Sequence, residues 1–445
     1  MGSSTIYACL AVGVALVLFL SLTKRSWAGY TVMPKRGAVV EATEAAPSRA
    51  SRTCVQLPWP AIVDRDEGEW LIVGDVRIRA ADVIRSDQAL AYYATWIQAE
   101  PDCAEAYLLR AILLGYLHKS GEALAHCREA VRLDSQVAMS HFLLGNLERE
   151  AGDADRAIVE YEEALRLQPD FANAHSGRGA AWWAKGDAAR ALADFALAIE
   201  LDSDNVTAWF GQGLAHCAHH DHAAGVADFD RVIALDPQRS EAYFSRAGAW
   251  AALGDLNRAL EDLDDYLKIN PQNSPAYSSR GNIYRALGEF DLALSDFDRA
   301  IRLYSGDPIL FCNRGIAWSE KGEYQRALDD FADAVAIDPE CAQAFNNQAW
   351  LLATCPQTEF RDGAAAVEAA RESCRLTNYQ DVTCLDTLAA ACAAAGDFDA
   401  ACNWQHDVIE RSSEDEATQQ TARARLQLYQ RGVAFYDVDA ADANS

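Results

Sequence analysis

The chain has 445 residues, half of them apolar, and a net charge of −27. That length can bury one large core or several smaller ones. Acid spread along the body repels phosphate backbones, so nucleic acid is excluded as a natural partner and a basic ligand is favoured. Charge of this size governs solubility and steering and names no substrate.

The first segment, residues 1–28, holds the run ACLAVGVALVLFL, and no residue from Ile6 to Thr23 is charged. Such a stretch, as helix, rises about 27 Å, enough to cross a bilayer's hydrocarbon core. Two readings stay open, a transmembrane anchor through residues 6–23 and a signal peptide cleaved after Ala28, where Ser26 and Ala28 are small. No Lys or Arg precedes the run, whereas Lys24, Arg25, Lys35, Arg36, Arg49 and Arg52 follow it. That asymmetry favours a membrane-associated protein with its body on the cytoplasmic side; cleavage would export the body instead.

Residues 29–55 have few large apolar side chains and read as a linker. Residues 56–86 have strand character: EWLIVGDVRIRAADVI alternates apolar and polar positions around a Gly74-Asp75 turn. This stretch resembles the closing hairpin of bacterial SH3-type barrels, which implies a cell-envelope module recognising wall peptides. A small hairpin packed on the next helix fits the same residues.

From Ala104 one pattern restarts at 138, 172, 206, 240, 274, 308 and 342, always after 34 residues. The eighth residue is small: Ala111, Gly145, Gly179, Gly213, Ala247, Gly281, Gly315, Ala349. The twentieth is small too, from Ala123 to Ala327. Large apolar residues stand twenty-fourth, as in Tyr161, Phe195, Phe229, Leu263, Phe297 and Phe331, and proline falls thirty-second in Pro169, Pro237, Pro271 and Pro339. Small residues let two antiparallel helices approach, the ring fills the space beside them, and proline ends the second helix.

At fixed phase this resembles the tetratricopeptide repeat family, over roughly Asp87 to Phe435. The expected fold is an all-α solenoid of helix-turn-helix repeats. A half-repeat at 87–103 (Ala89, Tyr93, Trp96, Pro101) precedes repeats one to eight at 104–377. The eighth inserts six residues between its helices. Repeat nine covers 378–411, with Ala389, Gly396 and Ala401 in the expected slots. A capping helix at 412–435 opens on a Ser413/Glu416 capping box, and a disordered tail takes 436–445.

The stretch HCAHHDH, His216 to His222, poses the question of a metal. Each member has a repeat position: His216 stands where Trp182 and Trp250 do, and His222 where Leu256 and Phe290 do. His220 occupies the left-handed slot that glycine takes in other repeats, followed by Asp221 as a helix-starting acid. The full ligand set of a closed zinc site is not evident, so His216, His219 and His220 are weak metal candidates.

The seventh residue is arginine in five repeats (Arg110, Arg178, Arg246, Arg280, Arg314), with His126, Asp194, Asp262, Asp296 and Asp330 sixteen residues later. An arginine–aspartate clamp between the two helices is one reading, and independent solvated charges the other. The twelve cysteines contain no CxxC. A Cys355–Cys374 disulfide is reasonable if the body is exported; otherwise the cysteines are small buried hydrophobes.

No GxxxxGK[ST], GxSxG, HExxH or strand-linked GxGxxG occurs, so neither an enzyme nor a cofactor is expected. Tetratricopeptide resemblance implies instead a concave groove lined by first helices that binds a protein or peptide segment. In that register the second, fifth, ninth and twelfth residues face it, giving Phe142, Asn146, Arg149, Trp183, Phe210, Leu214, Phe244, Asn282, Arg285 and Ile316. The basic set that clamps a terminal carboxylate in chaperone-type members is not evident. A membrane-tethered binding scaffold leads; a metal- or redox-active protein and the wall-peptide module are the alternatives.

Overall fold

A glycine eighth and a ring twenty-fourth amount to a packing instruction, and the computed structural model shows it carried out. It describes residues 31–34, 40–42, 61–62, 65–66, 70–73, 76–79, 83–412 and 416–437. These fall into two compact units, residues 1–253 and 254–445. The apolar run at 6–23, the possible cleavage site at Ala28 and Ser413 of the expected capping box lie outside the described residues. Among the described residues no helix is long and apolar enough to cross a membrane.

The first unit opens with short antiparallel strands: β1 (Thr31–Pro34), β2 (Val40–Ala42), β3 (Ala61–Ile62), β4 (Arg65–Asp66), β5 (Trp70–Val73), β6 (Val76–Arg79) and β7 (Val83–Arg85). They form one sheet in the order β3-β1-β7 and another in the order β2-β6-β5-β4. Val73 pairs with Val76 across the two-residue link, in the register the sequence suggests. β1 and β2 fall inside 29–55, so that stretch is in part strand rather than linker. Pairing by backbone hydrogen bonds needs few large side chains, which is why their scarcity misled.

After the strands comes α1 (Ser86–Ala99), which buries Ala89, Tyr93 and Trp96 as a half-repeat should. The helix pairs of this unit are α2 (Ala104–Tyr116) with α3 (Ser120–Leu133), α4 (Ala138–Glu150) with α5 (Ala154–Leu167), α6 (Ala172–Ala184) with α7 (Ala188–Leu201), and α8 (Val206–Ala218) with α9 (His222–Leu235), before α10 (Ser240–Ala252). The second unit begins with α11 (Leu256–Ile269). It continues with α12 (Ser274–Ala286) and α13 (Phe290–Leu303), α14 (Pro308–Glu320) and α15 (Tyr324–Ile337), and α16 (Ala342–Thr354) and α17 (Gly363–Leu376). α18 (Val382–Ala394), α19 (Phe398–Arg411) and α20 (Glu416–Tyr429) close it. In repeats one to eight the first helix starts on the residue where the repeat restarts in the sequence, and in the ninth it starts at Val382.

The turn between helices is set by one backbone angle. Gly152 has φ +86°, and the same slot is filled at +62° by His220 and at +56° by His118. Here the chain needs the left-handed region, which glycine enters freely and histidine tolerates. The next residue caps the second helix: Asp153, Asp187, Asp221, Asp255 and Asp397 each accept a backbone N–H three residues on.

Ring and glycine then lock. Tyr161, Phe195, Phe229, Phe297 and Phe331 are all buried. A methyl on Gly145 would stand 2.8 Å from the Tyr161 ring, and one on Gly315 2.6 Å from that of Phe331. In the first unit the ring also reaches the following repeat, where a methyl on Gly177 would lie 2.7 Å from Tyr161. Each ring contributes about 1.5–3 kcal/mol by leaving water, and only a bare backbone leaves room for it.

Charge forms a second lock. Arg178 makes two bonds to Asp194, at 2.8 and 2.7 Å. Arg280 holds Asp296 at 2.7 and 2.8 Å, and Arg314 holds Asp330 at 2.9 and 2.6 Å. All three carboxylates are buried, so these are clamps rather than solvated charges. Each arginine in the second unit also reaches an acid of the preceding second helix, Arg280 to Asp264 and Arg314 to Asp298, both at 2.6 Å. In the first unit Arg246 bonds Asp230 in the same way. Burial would raise the Asp194 carboxyl, but hydrogen bonds from Arg178 and His175 outweigh it and hold its pKa below the ordinary value. At Asp330 burial wins, and the carboxyl sits above the ordinary value although Arg314 holds it.

In the eighth repeat residues 355–362 separate α16 from α17 and contain a single 3-10 turn, Thr358–Phe360. Most of the inserted residues fall there. α20 buries Ala422, Leu426 and Tyr429 as a stripe along one face. The tail boundary moves: Tyr436 and Asp437, placed in the disordered tail at 436–445, are held against the helices, and residues 438–445 lie outside the described residues.

Gly315→Ala should lower stability by about 1–3 kcal/mol through overpacking, read as a fall in the urea midpoint. Gly248→Ala, where a methyl meets open space, should be neutral or stabilising. Equal losses at both positions would refute the notch. Arg280→Ala leaves Asp296 buried without its cation and should cost about 3 kcal/mol. A loss below about 1 kcal/mol would return the pair to the status of a surface contact.

Candidate partner-binding face

Successive first helices lie side by side within each unit, α6 against α8 and α8 against α10 in the first, α12 against α14 and α14 against α16 in the second. Their second, fifth, ninth and twelfth residues are the candidate lining. Trp183, Phe210, Leu214 and Phe244 are all half-buried on consecutive helices of the first unit, as are Arg149 in that unit and Asn282, Arg285 and Ile316 in the second. Phe210 leans on Phe229 with ring centres 5.8 Å apart, and the Arg239 guanidinium lies 5.2 Å from its centre. That leaves an apolar row with one edge exposed, flanked by a cation.

Two candidates lie in the core instead. Phe142 is buried against Phe171, 4.9 Å between ring centres, and against Tyr161. Asn146 is buried and accepts the Tyr161 hydroxyl at 2.6 Å. A tyrosine stands twenty-fourth here where four other repeats have phenylalanine, and its hydroxyl needs a partner, so the ninth residue turns inward. Arg285 bonds Glu320 at 2.6 Å, linking α12 to α14 across the lining.

The register also reaches residues outside the expected set. Asn346 and Trp350 stand fifth and ninth on α16, and the Asn346 Oδ1 is buried with no hydrogen-bond partner among the described residues. The same counting from Ala342 reaches both, because the insertion in the eighth repeat follows α16.

The histidine stretch is distributed over one turn. His216 Nδ1 lies 2.7 Å from Asp228 Oδ2, the acid that arginine holds in other repeats. Burial raises the Asp228 carboxyl above its ordinary value, and the His216 bond offsets only part of that. His219 is the residue after α8, His220 takes the left-handed turn, and His222 opens α9 with its ring edge-on to that of His220 at 6.1 Å. Among the described residues no three His, Cys, Asp or Glu side chains come together as a metal-holding set. His141 also pairs with an acid, Glu160 at 2.7 Å. Burial alone would lower its ring pKa, but the bonds to Glu160 and the Ser135 carbonyl outweigh it and raise it above the usual value.

No disulfide joins Cys355 to Cys374. Cys355 follows the last residue of α16, while the Cys374 thiol donates to the Cys384 carbonyl at 3.3 Å. Burial pushes the Cys374 thiol up to about 12, which keeps it protonated and unreactive.

Comparison with known proteins agrees with the repeat register. Family models described as TPR repeat match residues 145–186, and models described as tetratricopeptide repeat match 212–280 and 274–307. No curated protein matches the chain in sequence. Among solved structures, MamA is 25% identical, covering 36% of this chain and 95% of its own, with a TM-score of 0.34. YrrB, a TPR protein with an unusual peptide-binding site, is 23% identical over 42% of this chain and 97% of its own, at 0.34. Yeast Tom70 is 15% identical over 78% of this chain and 85% of its own, at 0.44. Over residues 145–186 and 212–307 this chain is thus made of tetratricopeptide repeats.

Proposed function

We propose that this protein is a non-enzymatic scaffold that binds a segment of a partner protein along the first helices of its repeats. The observation that carries the reading is the row Trp183, Phe210, Leu214 and Phe244, large apolar residues left half-exposed on three adjoining helices. A fold that buries every twenty-fourth ring leaves these four only partly covered, which marks a contiguous apolar row for a partner. Aromatic anchors of this kind carry binding energy when a partner covers them. With a net charge of −27, the chain favours an apolar segment flanked by Lys or Arg.

A random peptide library panned on the protein is expected to return apolar cores with basic flanks, and the double variant Trp183→Ala, Phe210→Ala to lose them while keeping its helical circular dichroism. Enrichment of acidic peptides, or undiminished capture by the variant, would sink the reading.

A membrane tether is part of the same proposal. It rests on residues 6–23, which carry no charge, and on Lys24 and Arg25 after them. The full chain expressed in bacteria is expected to stay with membranes through an alkaline carbonate wash. Release into the wash, or an N-terminus beginning at Gly29, would remove the anchor.

A further inference from the structure

Gly432, at φ +72°, ends the last helical turn, and the chain then runs back without helix or strand through residues 433–437. It runs back onto α16, at a lining position. The Asp437 carboxylate accepts the Trp350 indole N–H at 3.0 Å and lies 2.8 Å from the Thr354 hydroxyl. The Asp437 backbone N–H donates to the Thr354 carbonyl at 2.8 Å. Phe435 sits 6.1 Å from Trp350 between ring centres, and the Arg425 guanidinium stands 4.8 Å from each of the two. Tyr436 stacks under Arg361 at 4.0 Å. Arg425 is itself fixed by Asp386, the fifth residue of α18, which also accepts from Gln405 at 2.8 Å.

Three consecutive residues are therefore read individually: an aromatic by an indole and a guanidinium, a tyrosine by a second guanidinium, an acid by two neutral donors. Main-chain pairing with Thr354 fixes the register. A cap needs only to cover apolar surface, which the stripe of α20 already does. Side-chain-by-side-chain recognition of a non-helical segment is how a peptide site works.

We infer that this face of α16 is a peptide subsite held shut by the chain's own Phe435-Tyr436-Asp437, and that its partner carries an extended aromatic–aromatic–acid segment of the same kind. The inference does not depend on the apolar row of the first unit. A tail joined by a few residues competes at an effective concentration near millimolar, so a free segment meets the intact protein at a disadvantage. Weakening the tail exposes the subsite.

The test uses the full-length chain and a fluorescent synthetic peptide, RGVAFYDVDA, followed by anisotropy. The variant Phe435→Ala, Asp437→Ala is expected to bind it at least about ten-fold tighter than the intact protein does. Adding Thr354→Val, which keeps side-chain volume, should take most of that gain away, and a scrambled peptide should not bind. No binding to the double variant, or equal binding of the scrambled peptide, would overturn the inference. So would loss of helical circular dichroism in the double variant, because the segment would then be a structural strap. Dimers of the intact chain that added peptide dissolves would make a second copy the occupant and overturn the partner assignment.

Discussion

An aromatic ring pressed against a glycine backbone is the contact on which the helical body depends. It fixes how closely the two helices of a repeat approach, and so where every other side chain of the repeat points. Tyr161 on Gly145, Phe229 on Gly213 and Phe331 on Gly315 repeat one geometry through a chain whose surface residues vary freely. Close-packed interiors do not absorb an added methyl by flowing around it, so the phase of the repeat is rigid even where its chemistry is not. The arginine clamps add directional bonds to that contact. Where arginine is missing, as at Gln212, the acid at Asp228 survives by pairing with His216 from one turn further along.

Most of this was legible from the amino acids. Glycines and rings at a spacing of 34 residues give the starts of the first helices in repeats one to eight, because one small side chain and one large one in a helix pair leave a single way to pack. His220 could be placed in a left-handed turn for the same reason: a position that is glycine in six other repeats states a backbone angle. The second acid of each arginine, Asp264 for Arg280 and Asp298 for Arg314, recurs as a twenty-fifth residue, but that spacing alone does not say which repeat's arginine it meets.

What stayed hidden was whatever the period does not determine. Phe142 and Asn146 obey the lining register yet turn inward, since the hydroxyl of Tyr161 needs an acceptor that the phenylalanines elsewhere do not. The contact of Asp437 with α16 joins residues more than eighty apart through a segment with no pattern of its own. β1 and β2 are held by backbone pairing and are short, so composition alone reads them as linker. A period locates the frame; single residues that break or borrow from it carry the particular chemistry.

Each clamp arginine in the second unit serves two masters, its own repeat and the one before. The arrangement favours lengthening or shortening in whole modules. Excising residues 274–307 would deliver Arg314 to Asp264 while it kept Asp330, and no charge would be stranded. Removal of part of a repeat that parted Arg314 from Asp330 would abandon a buried carboxylate, at a cost of several kcal/mol. Asp264 and Asp298 are half exposed, and the loss of either pairing would cost about 1 kcal/mol or less. Electrostatics thus acts as a ratchet on the genetics of the molecule, permitting growth in steps of one repeat and penalising a step that parts a clamp.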